Sequence, residues 1–218
     1  MDKKIDKKKE STHQKAIIAV DLHGVLFVAR HKNMFRTFFK SKEKLKLFFA
    51  LCSPFLWADV LKLMKKKAVA EEYLVGLAEK HHRLKKFVPL GIEIANQQDP
   101  NQEVIEVLKE LKKNGCTLHL FSNIGGIIFE DLRKKYPVPM TLFESFSLAS
   151  RENGYARKPH EKAFTTFLKT HNPHNLPVIL IDDKKKNIRG AQKHGITTIF
   201  FTSPKQLRTE LVKLNLIS

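Results

Sequence analysis

Apolar runs and amphipathic stretches alternate along most of this chain. Residues 16–20, AIIAV, are apolar throughout and partly β-branched, which indicates a strand buried on both faces of a parallel sheet. Short apolar runs predict further strands at 116–121, 143–148, 178–181 and 197–201. Helical spacing predicts helices at 101–114, 127–135, 160–170 and 204–214, and one more that ends at 191–195. The alternation predicts an α/β fold with a doubly wound parallel sheet.

Residues 31–98, the inserted segment, follow a different pattern. They show no strand pattern, and their apolar residues recur at helical spacing between lysine clusters. Ser53-Pro54 ends one predicted helix and suits the start of the next. We expect three or four helices that form a separate lobe, while residues 14–30 and 99–218 form the α/β core.

The most apolar stretch of the chain lies inside this segment, at residues 47–58. It is too short to span a bilayer and contains a proline, so the pattern favours the core of a small helical lobe. An interfacial membrane contact by residues 45–67 is the second interpretation, because phenylalanines and Trp57 alternate there with lysines. The periodicity is compatible with both.

Charge and cysteine content narrow the class of protein. Of the 218 residues, 40 are Lys or Arg and 22 are Asp or Glu, a net charge of +18. That balance favours acidic partners: phosphorylated metabolites, nucleic acid or an anionic membrane surface. The two cysteines, Cys52 and Cys116, indicate neither a disulfide framework nor a zinc cluster, so a cytoplasmic protein is expected.

Residues 1–13 read as a disordered basic tail without the apolar core of a secretory signal. Its composition favours a solvated tail over a segment that contacts nucleic acid or phosphoinositides. Nothing in the sequence marks an oligomeric state.

Polar clusters stand where the predicted strands end or helices begin: Asp21, Ser122-Asn123, Lys158 and Asp182-Asp183. Each has an ordinary structural explanation, since Asp and Asn favour turns and caps and a lone lysine is usually solvated. Adjacent carboxylates, however, need a compensating cation or exposure to water. In an open parallel sheet all four clusters fall at the edge where ligands bind.

These motifs resemble, in order and spacing, the haloacid dehalogenase superfamily of aspartate-nucleophile hydrolases. The resemblance rests on the frames AIIAVDLHGVL, CTLHLFSN, RKPHEKAF and VILIDDKKKNIRGAQKHGI and covers the chain except its tail. It implies a Rossmann-like core, with the inserted segment 31–98 as a helical cap domain.

The resemblance also implies roles for the residues that catalyse phosphoryl transfer. Asp21 is similar to the nucleophile that forms an aspartyl-phosphate, which is a reasonable role for a carboxylate beside a metal. Ser122 and Asn123 match the phosphate-binding hydroxyl and amide. Lys158 matches the cation that holds the phosphoryl oxygens and offsets the carboxylates.

The same resemblance implies a Mg²⁺ site, and an all-oxygen ligand set suits that ion. Asp21 and Asp183 match direct ligands, and Asp182 either shares the ion or stands beside it. His23 is expected to contribute its backbone carbonyl, whatever its side chain does.

His23 is the main departure from the family, whose phosphatases carry a second aspartate at that position. Its imidazole, with an unperturbed pKa of about 6.5, is suited to general acid–base work. Three outcomes follow: His23 substitutes as the acid/base, the protein stalls or only binds phosphate and Mg²⁺, or the reaction is a dehalogenation. A fourth reading makes His23 a turn residue without a role.

The leading hypothesis is a Mg²⁺-dependent phosphatase for a small phosphorylated substrate, with the cap closing over the site. The alternative is a catalytically impaired binding module for a phosphorylated ligand, RNA or an acidic membrane surface, held by the lysines of the tail and cap. A dehalogenase is the least favoured of the three.

Overall fold

A five-stranded parallel sheet is the centre of the computed structural model, which describes residues 15–30, 36, 39–40, 88–149 and 156–218. The strands are β1 Ala16–Val20, β2 Phe27–Ala29, β3 Gln98–Pro100, β4 Cys116–Phe121, β5 Ser145–Ser147, β6 Val178–Asp182 and β7 Thr197–Phe200. The sheet has the order β5-β4-β1-β6-β7, and all its neighbours pair in parallel. The predicted α/β class is confirmed.

Seven helices lie within the described ranges 88–149 and 156–218. They are α1 Val88–Ala95, α2 Gln102–Lys113, α3 Gly126–Lys135, α4 Pro137–Met140, α5 Glu161–His171, α6 Lys185–Gln192 and α7 Pro204–Lys213. The four helices predicted at 101–114, 127–135, 160–170 and 204–214 match α2, α3, α5 and α7 to within one residue at each end. The four-residue α4 was missed because one turn is too short to establish a period.

The core consists of two apolar layers, one on each face of the sheet. Alternate residues of β1 point to opposite layers: Ile18 and Val20 pack on one side, Ile17 and Ala19 on the other. Helices α2, α3 and α7 cover the first layer, and α5 and α6 cover the second. The uninterrupted apolar run of β1 is therefore explained, because all five of its residues are buried.

A short antiparallel ribbon was not predicted. It pairs β2 with β3, with Phe27 opposite Pro100 and Ala29 opposite Gln98. Three residues per strand are too few to show alternation, so no periodic signal was available. The ribbon joins the two chain segments that border the inserted segment, and β3 begins one residue before the predicted boundary at 99.

Several predictions fall mostly or wholly outside the described residues. These are the tail 1–13, most of the helical lobe 31–98, and the apolar segment 45–67 with its surrounding lysines. In the part of the chain that the structure describes, no helix has the length and apolar character needed to cross a bilayer.

A pair of histidines lies at the β4–β5 side of the sheet, away from the carboxyl-terminal edge. The rings of His119 and His171 have centroids 4.6 Å apart, and both contact the hydroxyl of Ser145, at 2.7 and 3.3 Å. Burial, and secondarily the neighbouring His171, lower the pKa of His119 to about 4. Burial also lowers the pKa of His171. Glu144 and His174 line the same cavity of about 360 Å³.

We expect His119 to make the protein less stable in mild acid. The pKa of His119 is lower in the folded than in the unfolded chain. The free energy of unfolding is therefore unaffected by this residue above about pH 6.5 and decreases as the pH falls towards 4. Between about pH 7.5 and pH 5 this loss is worth about 2 kcal/mol. Urea unfolding of wild type and His119→Gln at both pH values measures it, and the variant should show the smaller pH dependence. An equal dependence in both proteins would contradict the assignment.

Candidate active site

The carboxyl end of the central strand β1 places Asp21 at the middle of the site. Its backbone N–H donates to the carbonyl of Ile181 at 2.9 Å, which continues the β1–β6 pairing past the last strand residue. Its side chain is buried, and Oδ1 accepts a hydrogen bond from the N–H of Leu22 at 2.9 Å. The carboxylate is therefore held in one orientation by the turn that follows the strand.

Lys158 brings a buried positive charge to this carboxylate. Its Nζ lies 2.6 Å from Oδ2 of Asp182 and 3.3 Å from Oδ1 of Asp21, and it also donates to the carbonyl of Phe121. The ammonium is fully buried, so it is stable only because it has these partners. The predicted balance between Lys158 and the carboxylates is present in this geometry.

Asp182 is saturated with hydrogen bonds. Its Oδ1 accepts from the N–H of Lys184 at 2.8 Å and from Nδ2 of Asn187 at 3.0 Å. Its Oδ2 accepts from Lys158 and again from Asn187. A fully buried carboxylate with both oxygens occupied is better placed beside an ion than as its ligand.

Asp183 has the opposite character. It is partly exposed, and its buried Oδ1 accepts no hydrogen bond from the described residues. Burial first, and then the charges of Asp21 and Asp182, raise its pKa above the usual range, while Lys184 opposes the rise. The Lys184 ammonium lies 3.8 Å from Oδ2 of Asp21 and from Oδ1 of Asp183. Oδ1 of Asp183 is therefore a candidate ligand for a cation.

The donor set fits a magnesium ion. One carboxylate oxygen from each of Asp21, Asp182 and Asp183 lies within 4.8 Å of the others. Oxygen donors of this kind are what Mg²⁺ prefers. Gly24 leaves space for the Asp183 carboxylate, because a Cβ at position 24 would lie 2.3 Å from Oδ2 of Asp183. Asp21 and Asp183 are the residues that could hold the ion, with Asp182 behind them.

Ser122 and Asn123 follow β4 at the same edge. Ser122 is buried and its N–H donates to the carbonyl of Ser147. The side chain of Asn123 clamps the backbone of Lys158: Nδ2 donates to its carbonyl at 2.7 Å, and Oδ1 accepts from its N–H at 2.8 Å. The Asn123 side chain therefore positions Lys158. The phosphate-binding role of Ser122 and Asn123 stays a prediction.

His23 lies two residues beyond Asp21 and is partly buried. Its Nδ1 is 2.6 Å from Oε1 of Gln98, the first residue of β3. Gln98 is buried, and its Nε2 donates to the carbonyl of Ala95 at 2.7 Å. The imidazole is thus attached to the ribbon.

The structure brings every predicted site residue to one edge of the sheet, and it adds three that were not assigned a role. Asn187, in the first turn of α6, donates to both oxygens of Asp182. Lys184 follows those aspartates directly and could have been read as a second cation. Gln98 had no local signal, because its contact with His23 joins positions 75 residues apart.

Two comparisons with known sequences find proteins similar to this chain. The profile of the haloacid dehalogenase-like hydrolases matches residues 58–201. A sesquiterpene phosphatase of Aspergillus oryzae is 27% identical over 115 residues, which are 53% of this chain and 57% of that protein. The chain thus spans little more than half the length of this curated relative.

Solved structures share the fold. A HAD family enzyme of Bacteroides thetaiotaomicron has a TM-score of 0.63 at 20% identity, over 86% of this chain and 94% of its own. L-2-haloacid dehalogenase of Xanthobacter autotrophicus, with chloropropionic acid covalently bound, has a TM-score of 0.59 at 16% identity, over 93% and 84%. A further structure of the Bacteroides enzyme, an aspartate-to-alanine variant, is a complex with magnesium and inorganic phosphate (TM-score 0.55, 18% identity, 86% and 94%).

We expect Gly24→Ala to weaken cation binding. Gly24 has a φ of +84° and its added Cβ would displace the Asp183 carboxylate, so the variant should bind Mg²⁺ at least about tenfold more weakly. It should also lose about 1–2 kcal/mol of stability from the left-handed backbone. Calorimetric titration with Mg²⁺ and urea unfolding measure both effects.

Gly126→Ala is the matched control. A Cβ there meets no atom within 4 Å, and the residue starts helix α3, so stability should change by less than about 1 kcal/mol and Mg²⁺ affinity should be unchanged. Equal Mg²⁺ affinity in wild type and both variants would show that Asp183 does not bind the ion.

Proposed function

This chain belongs to the haloacid dehalogenase-like hydrolase family, and from that premise we propose that it is a Mg²⁺-dependent phosphatase with Asp21 as its nucleophile. One observation carries the proposal: three carboxylates converge within 4.8 Å of one another, and the buried ammonium of Lys158 pairs with two of them, Asp21 and Asp182. Such a cluster retains excess negative charge, which a divalent cation and a phosphoryl group together can occupy. We propose a small phosphorylated compound as the substrate.

The metal would be held by Asp21 and Asp183, with the backbone carbonyl of His23 as a further ligand. When bound, Mg²⁺ would offset the negative charge that a phosphoryl group brings to these carboxylates. Asp182 would not bind it directly, because both of its oxygens already accept hydrogen bonds.

In the first chemical step, a carboxylate oxygen of Asp21 attacks phosphorus while the bond from phosphorus to the substrate oxygen breaks. The departing oxygen takes a proton from the protonated imidazole of His23. This leaves an aspartyl-phosphate and a neutral His23. The hydrogen bond from Leu22 and the Lys158 ammonium keep the Asp21 carboxylate oriented for the attack.

In the second step, water attacks the aspartyl-phosphate and gives a proton to His23. The bond between phosphorus and Asp21 breaks, inorganic phosphate leaves, and both side chains return to their starting states. Lys158 stays near Asp21 throughout, held by the Asn123 clamp on its backbone.

Two comparisons support phosphate chemistry over dehalogenation. The curated relative is a phosphatase, and one neighbour of the same fold holds magnesium and inorganic phosphate. A dehalogenase is also among the neighbours, so the substrate test includes a halogenated acid.

We expect purified protein to hydrolyse phosphate monoesters in the presence of Mg²⁺ and to leave chloropropionate intact. Asp21→Asn should lower kcat by at least about 10³-fold, because the neutral amide is a poor nucleophile. Released phosphate and chloride are the measurements. Asp131→Asn is the control: it makes the same change at an exposed residue of α3 and keeps an oxygen that can accept from Nδ2 of Asn96, so it should leave the rate within about twofold.

The proposal fails if Asp21→Asn and wild type hydrolyse phosphoesters at the same rate. It fails equally if wild type releases chloride and no phosphate.

His23→Asp tests the acid/base role at the departure from the family. If His23 transfers the proton, its replacement should change kcat by at least about tenfold in one direction, because proton transfer is worth about 10²–10⁴-fold. A gain identifies His23 as a weaker acid than aspartate, and a loss identifies it as the group for which the site is built. Initial rates with one phosphomonoester measure this, and unchanged kcat would show that His23 has no catalytic role.

A further inference from the structure

We infer that Gln98 is a positioning residue that fixes the tautomer and the orientation of His23. The inference rests on the proposed function, in which His23 transfers the proton. Gln98 is the first residue of β3, the strand of the ribbon on which the chain returns from the inserted segment. Among the described residues, the Gln98 side chain forms hydrogen bonds with His23 and Ala95 and none with the carboxylates, so it acts through the imidazole.

The hydrogen bonds of the Gln98 amide determine which ring nitrogen of His23 carries a proton. A backbone carbonyl can only accept, so the group that faces the carbonyl of Ala95 at 2.7 Å is the NH₂ of Gln98. The amide oxygen of Gln98 then faces Nδ1 of His23 at 2.6 Å. Because an amide oxygen has no proton to give, Nδ1 is the donor.

Gln98 is itself held firmly. It is buried, its N–H donates to the carbonyl of Asn96, and its own carbonyl accepts from the hydroxyl of Tyr136 at 3.0 Å. Pairing with Ala29 fixes its backbone in the ribbon. A side chain restrained in this way orders its partner at little further entropic cost.

The consequence for His23 is an imidazole with one ring nitrogen occupied. With Nδ1 engaged by Gln98, Nε2 is the nitrogen available to a substrate oxygen or to water. Without Gln98, the ring samples both tautomers and other rotamers, so proton transfer becomes slower. Phosphate binding uses other residues and should be affected much less.

The kinetic test compares Gln98→Met, which keeps the length of the side chain and removes its polar atoms, with Gln98→Glu, which keeps an acceptor for Nδ1. Two substrates are used: an alkyl phosphate, whose leaving oxygen needs a proton, and an aryl phosphate with an activated leaving group. For Gln98→Met we expect kcat/KM to fall at least about tenfold with the alkyl substrate and less than about threefold with the aryl one. Gln98→Glu should retain the alkyl activity within about fivefold.

Tyr136→Phe is the matched control, because it removes a hydrogen bond to the backbone of the same strand and leaves the Gln98 side chain on His23. It should change both substrates equally, and by less than about threefold. Equal losses in Gln98→Met and Tyr136→Phe, or a loss in Gln98→Met that is the same for both substrates, would reduce Gln98 to a structural role and overturn the inference.

A double-mutant cycle identifies the residue through which Gln98 acts. In a His23→Asn background, Gln98→Met should change the residual alkyl phosphatase rate by less than about twofold. If the two effects multiply instead, Gln98 does not act through His23.

A spectroscopic measurement keeps the inference testable if Gln98→Met does not fold. Long-range ¹H–¹⁵N spectra report the ring tautomer of each of the ten histidines, and the signals absent in His23→Asn belong to His23. We expect the neutral ring of the magnesium-free wild type to carry its proton on Nδ1. A proton on Nε2 would overturn the inference. Because the spectrum needs no turnover, it separates failure of this inference from failure of the proposed phosphatase activity.

Discussion

The contact on which this site depends is the buried ammonium of Lys158 between Asp21 and Asp182. Nearly complete exclusion from water makes an unpaired charge very costly for each of these residues, so each is stable only in the presence of the others. Asp183 adds a third carboxylate within 4.8 Å, and only the half-exposed Lys184 is close enough to offset it among the described residues. Three carboxylates therefore face the ammonium groups of Lys158 and Lys184, and the excess of negative charge is what a bound cation would offset.

The topology of the sheet explains how these buried charged side chains are brought together. Strand β1 lies between β4 and β6, so the chain leaves the sheet at three adjacent points on one edge. Asp21, Asn123 and Asp182 stand at those points. Lys158 comes from a loop outside the sheet, and it needs the Asn123 clamp on its backbone to reach the same place.

The sequence allowed the sheet and the positions of its polar edge residues to be predicted, and physical chemistry explains why. Fully buried strands are apolar without interruption, and helices that cover them are amphipathic, so both leave a strong local pattern. The functions of Asp182 and Asp183 could not be separated in this way. Adjacent residues of one type differ only in which oxygens already accept hydrogen bonds, and that depends on Asn187 and Lys158 in three dimensions.

The ribbon and the contact of Gln98 with His23 also depend on residues that are far apart in the sequence, so a local pattern could not predict them. Strands β2 and β3 have three residues each, too few to show an alternating pattern. They pair across the whole inserted segment, so their spacing along the chain does not predict a hairpin either. The His119 and His171 pair was missed for a related reason. Their contact joins β4 to the last residue of α5, and it depends on how α5 packs against the sheet.

The exchange of aspartate for histidine at position 23 changes what the surroundings must provide. The two oxygens of a carboxylate are chemically equivalent, so an aspartate can present either of them to a leaving group. The two nitrogens of an imidazole are not equivalent, because in the neutral ring one donates and the other accepts. A histidine in this role therefore requires a partner that selects the tautomer, and Gln98 is placed and anchored to do so. Since Gln98 belongs to the strand on which the inserted segment returns, any movement of that strand would reach the imidazole of His23 through the Gln98 hydrogen bond and its backbone through the pairing with β2.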